Sequence, residues 1–223
     1  MNSIKFKAID SITLDGFRPE PAYKNIPDWW KNLSPVDYIN GRENVPTVKQ
    51  CPPSIDALTS GYLLFTQCDM YFGEDELFQY SYPKKIVEKW NNKQTDGMHV
   101  PYGYTESVYK FINRWIIETP TEWSSMFFHP VGYPDLPFIT LTGIVDTDIL
   151  KTDINPPFRM KKGWTGTIKA GTPIAQIVPV KRDSWIHEIE LLGEDAFNRE
   201  QELIQSESYG IYLKNMRQKK EYR

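Results

Sequence analysis

The chain has 223 residues, 40% hydrophobic and 25% charged, proportions that suit one compact domain with a core needing neither metals nor disulfides and that exclude wholesale disorder. A formal charge of -3 and a pI of about 5.7 argue against a surface given over to nucleic acid or to an anionic membrane. Aromatic residues at 14%, with 17 prolines, favour strands, turns and rigid loops over long helices.

Residues 3–8 alternate polar and apolar side chains and read as a half-buried strand. Pro19, Pro21 and Pro27 then impose irregular backbone, and the segment after Pro27 predicts one or two helical turns, with Trp29 and Trp30 as a packing plug. Residues 34–53, punctuated by Pro35, Gly41, Pro46, Pro52 and Pro53, read as a surface excursion. Ser54 is positioned to cap a short helix that runs to Ser60 and stops at Gly61. Strands are expected at 62–66, 69–72 and 77–82, the last two joined by a turn at 73–76, and residues 84–104 read as a loop. Short runs at 108–112, 115–118, 124–129 and 138–141, divided by proline and glycine, suit a sandwich or barrel-like fold better than alternating β-α-β units.

Residues 194–208 carry five acidic side chains and one arginine, with Phe197, Ile204 and Ile211 spaced by seven, which predicts an amphipathic helix docked on the body. The last ten residues hold Lys214, Arg217, Lys219, Lys220 and Arg223 against Glu221, a charge of +4. A solvated tail is the expectation there, and this basic tail is the one place where nucleic acid is a conceivable partner. Residues 1–17 have no apolar core or cleavage site of a leader, and no run reaches the roughly 20 apolar residues needed to cross a bilayer. Cys51 and Cys68 lack zinc spacing and disulfide density, and read as free buried thiols.

Most of the information lies in residues 143–182. Gly143-Ile144-Val145-Asp146-Thr147-Asp148 reads as a strand end delivering two carboxylates into a turn. Thr167-Ile168-Lys169-Ala170-Gly171-Thr172-Pro173-Ile174-Ala175-Gln176-Ile177 reads as a glycine turn feeding a strand of apolar residues interrupted by Gln176. This pair resembles dUTPase and dCTP deaminase, and the resemblance extends over about residues 105–182. It implies a mainly β fold: a β-clip-like core at 105–190, an N-terminal β and loop elaboration at 1–104, and a C-terminal helix and basic tail at 191–223, all in one domain.

Residue by residue, the resemblance gives Asp146 the place of the carboxylate that holds the sugar and orients the attacking water. Ile149 and Leu150 stand where a sugar-stacking tyrosine is wanted, and His129-Pro130 replaces the phosphate-binding Arg-Ser pair. The glycine-rich closing arm has no counterpart, and residues 154–160 supply no glutamate base for a deaminase. Asp146, Asp148, His129 and Gln176 are therefore the candidate ligand-binding residues, with Asp146 catalytic only in a dUTPase-like enzyme. The chain as a whole also looks like proteins encoded by tailed phages of marine bacteria, a resemblance that supplies no chemistry.

The scattered His99, His129 and His187 make no metal helix. Asp146, Asp148 and Asp153 are better explained as turn caps than as ligands of a divalent ion, and no nucleophile elbow or phosphate loop is present. The expectation is a non-enzymatic virion or assembly component, located in the virion or host cytoplasm. It would work without cofactor, metal or membrane, as a homo-oligomer, trimeric by resemblance, alongside other viral structural proteins. The alternative is a deoxynucleotide-binding protein of the dUTPase or dCTP deaminase kind.

Overall fold

The computed structural model describes residues 2–39, 41–205, 217–218 and 220–223. The chain opens with β1 (Lys5–Ala8) and α1 (Ser11–Asp15), whose N-terminus is closed by the Asp10 carboxylate accepting from the Thr13 N–H at 2.8 Å. β2 (Glu20–Pro21) precedes α2 (Asp28–Asn32), which starts directly after Pro27. Trp30 is buried and meets Trp29 edge-on at 5.5 Å, while Trp29 stays half exposed and donates from Nε1 to the Gly132 carbonyl.

The expected surface excursion is more ordered than its prolines suggest: β3 (Val36–Ile39) and β4 (Arg42–Pro46) pair as an antiparallel hairpin. The next helix, α3 (Pro52–Thr59), begins two residues before the expected Ser54 cap. Prolines at its first turn lack only N–H groups that have no intrahelical partner there.

β5 (Tyr62–Phe65), β6 (Met70–Phe72) and β7 (Phe78–Tyr80) follow as expected. The segment 84–104 is not a simple loop. It contains β8 (Val87–Lys89), which pairs with the later β9 (Tyr109–Phe111), and α4 (Asn92–Thr95), capped by the Asn91 side chain. Three-residue strands and one-turn helices are too short to show a period. The remaining strands are β10 (Trp115–Glu118), β11 (Trp123–Phe128), β12 (Phe138–Thr140), β13 (Gly143–Val145), β14 (Pro157–Met160), β15 (Gly166–Ile168) and β16 (Pro173–Lys181).

The fold is mainly β and every strand pair is antiparallel. The strands form sheets ordered β13-β11-β16-β5-β2, β12-β14-β9-β8, β15-β6-β7, β1-β10 and β3-β4. Among the described residues no sheet closes into a barrel. Inward side chains of the first four sheets meet in one core, with Ile177 and Phe127 from the first, Phe158 and Phe111 from the second, Phe72 from the third and Ile117 from the fourth. Phe158 stacks on Phe111 at 3.8 Å and meets Phe138 and Phe78 edge-on.

Arg159 interrupts this apolar strand, fully buried, and donates to the carbonyls of Thr105 and Glu106. It ties down the loop before β9, which accounts for a cation where the resemblance looks for a glutamate. Gln176, in the centre of β16, is also fully buried.

α5 (Glu194–Gln205) forms where expected, and over its first nine residues no side chain is fully buried. Phe197 is half exposed, and from Glu194 to Glu202 only Ala196 and Gln201 are partly covered. Ser208, Ile211, Lys214 and Lys219 lie outside the described residues, as does the side chain of Ile204. The end of the tail returns to the body: Arg217 and Lys220 both bind the Asp56 carboxylate, at 2.5 and 2.7 Å, and Tyr222 meets Tyr62 edge-on. Two cations of the expected solvated tail are thus neutralised within the chain.

Candidate functional site

β11 is the backbone of the candidate site. It pairs with β13 on one side (Ser125↔Val145) and with β16 on the other (Ser124↔Val180). This register brings the end of β13, the start of β11 and the end of β16 together at one end of the sheet, where Asp146, Ser124 and Arg182 converge. Past Val145 the chain turns, with the Ile149 and Leu150 N–H groups donating to the Asp146 carbonyl.

Thr147 points inward and is fully buried. Its hydroxyl bonds those of Thr119 (2.7 Å) and Ser125 (2.9 Å), and Thr119 in turn donates to the Trp123 carbonyl. These hydroxyls satisfy one another beneath the turn and lock it to β11.

The two aspartates flanking Thr147 differ sharply. Asp148 accepts both prongs of the Arg182 guanidinium, at 2.8 and 2.5 Å, and the Glu122 N–H at 3.0 Å. Glu122 has a left-handed φ of 69°, an uncommon conformation for a non-glycine residue, and its N–H is aimed at Asp148. The Arg182 fork and this N–H hold Asp148 at a pKa of about 2. Asp146 is looser. One oxygen accepts from Ser124 at 2.6 Å and lies 3.4 Å from Arg182, and more than half of its side chain faces water.

His129 and Gln176 do not join this group. Phe128 pairs with Gln176 and Ser124 with Val180, four residues along β11, which is about 13 Å at strand spacing. Gln176 is saturated: its carbonyl accepts from the Val131 N–H (2.9 Å) and its amide donates to the Ala57 and Ser60 carbonyls (2.9 and 2.7 Å). His129 lies between the Thr140 N–H and the Tyr133 carbonyl, and burial pushes its pKa below the ordinary histidine value. Asp153 sits apart, bridged to Ile116. Among the described residues no three His, Cys, Asp or Glu side chains stand close enough to hold a metal ion, and no helix is long and apolar enough to cross a membrane.

Sequence reasoning missed Arg182 and Ser124. Arg182 reaches Asp146 only because β13 and β16 flank the same strand, and no local spacing announces that pairing. Within the group, the half-exposed Asp146 is the carboxylate open to water. The group offers no free cation for phosphate, because both guanidinium prongs are held by Asp148.

A pH dependence follows from these carboxylates. Asp10, held by the Thr13 N–H and then by Arg114, also sits at about 2 against an ordinary 3.8. A depressed folded pKa contributes stability that is fully present above the unfolded value and lost as pH falls through the folded one. Unfolding stability is therefore expected to fall between about pH 4 and pH 2. Asp148→Asn should flatten part of that slope in denaturant titrations at each pH.

No protein-family model matches the chain, and no curated protein matches it.

Proposed function

We propose that this chain is a non-enzymatic, self-associating protein, a virion or assembly component of a tailed phage built on a β-clip-like core. The observation that carries the reading is residues 183–193. Leaving β16, the chain forms neither helix nor strand there, and Trp185, Ile186, Ile189 and Leu191 are 88, 90, 91 and 97% exposed. Burying each such side chain is worth about 1.5–3 kcal/mol, so an arm carrying these and Leu192 in water has a strong drive toward a partner surface. The phage resemblance supplies the setting, and the dUTPase resemblance points to three copies.

Enzymatic function has less support, since Arg182 is committed to Asp148 and, among the described residues, the only side chains bonded or ion-paired to Asp146 are Ser124 and that same Arg182.

Light scattering at micromolar concentration tests the reading. The full chain is expected to be oligomeric, and Trp185→Ser with Ile186→Ser and Leu191→Ser is expected to yield a folded, smaller species. A monomeric full chain would overturn self-association. Thermal unfolding with deoxynucleotides is expected to be unchanged. Stabilisation approaching the ~2.7 kcal/mol of a ligand at a hundred times its Kd, abolished in Asp146→Asn, would overturn the non-enzymatic part instead.

A further inference from the structure

The arm has a definite pattern. Set out as a strand, Trp185, Ile189 and Leu191 share one face with His187, while Glu188 and Glu190 lie on the other between Ile186 and Leu192. This is the alternation of a half-buried strand, carried by a segment with no ladder partner among the described residues.

The body carries a surface of matching form. β15 is the edge of its sheet, paired with β6 on one side and with no strand on the other among the described residues. Beside that edge runs a groove of about 450 Å³, lined by Trp29, Tyr133, Leu136, Trp164, Ile168 and Lys169. Trp29 is half exposed there. An aromatic groove beside an open strand edge complements a strand that carries Trp185, Ile189 and Leu191 on one face.

Chain length keeps Trp185 out of the groove of its own copy. β16 separates the two features: Pro173 lies at the groove end, next to Thr172 in its lining, and Lys181 lies at the root of the arm. Eight strand steps span about 26 Å. Trp185 is four residues beyond Lys181, a reach of at most about 14 Å.

We infer that the arm of one copy adds as a strand along the free edge of β15 in a second copy, with Trp185 seated in the groove beside Trp29 and Trp164. The inference rests on the self-association proposed above and names its receiving surface. Donor and acceptor surfaces differ, so the contact is head-to-tail and closes into a ring when the rotation per copy permits.

Cross-linking tests it in a full-length background with Cys51→Ser and Cys68→Ser. One tagged copy carries Ser184→Cys on the arm and a differently tagged, co-expressed copy carries Thr167→Cys on β15. A short bis-maleimide is expected to join the two tags. Adding Trp185→Ser to the arm copy should cut the product about tenfold or more, as loss of a central aromatic anchor does. Oligomers that persist in light scattering without the mixed product would overturn this docking site and leave self-association standing. A monomeric background protein would overturn both.

Discussion

Gln176→Leu is expected to lower unfolding stability by about 3–5 kcal/mol, measured by denaturant titration. Leucine nearly keeps the volume, so the loss is polar. It strands the Val131 N–H and the Ala57 and Ser60 carbonyls, which Gln176 satisfies from a position with no solvent exposure. A buried group left without its partner costs about 1–3 kcal/mol. The side chain staples the end of α3 and the turn after β11 to the centre of the five-stranded sheet. A change below about 1 kcal/mol would show that water replaces these bonds, and would return Gln176 to the set of ligand-accessible residues.

That glutamine shows where reading the sequence stops. A polar residue inside Ile174-Ala175-Gln176-Ile177 is visible as an anomaly, and both a binding role and a structural one fit the pattern. The partners that decide between them, Ala57, Ser60 and Val131, come from segments far away in the chain. The strand at 3–8 was legible from its alternation, whose apolar face is partly buried, and the one at 124–129 as a short run set off by proline and glycine. Residues 84–104 were not, since β8 is held by its ladder with β9 rather than by any period of its own. Asp146 and Asp148 stood out as a pair. Their division of labour did not, because it depends on Arg182 arriving from β16. The arm at 183–193 was within reach of the sequence, since Trp185, Ile189 and Leu191 already alternate, but without a body to compare against, nothing marked that strand as unpaired.

Gly61→Ala is expected to be comparably damaging. Gly61 ends the turn between α3 and β5 with φ at +72°, and a Cβ there would lie 1.9 Å from the Ile177 carbonyl oxygen. The left-handed conformation costs an alanine about 1–2 kcal/mol. Pushing back a backbone oxygen of the central strand adds about 1–3 kcal/mol, for a total of about 2–5 kcal/mol. Gly163→Ala separates the two contributions, because Gly163 has φ at +74° and open space around it, so it should lose only the first part. Gly61 abuts Ile177 while Gln176 binds Ser60, so both changes strain one junction between α3, β5 and β16. In the double variant the losses should sum to less than the two measured singly, whereas strict additivity would mean that the turn and the strand yield independently.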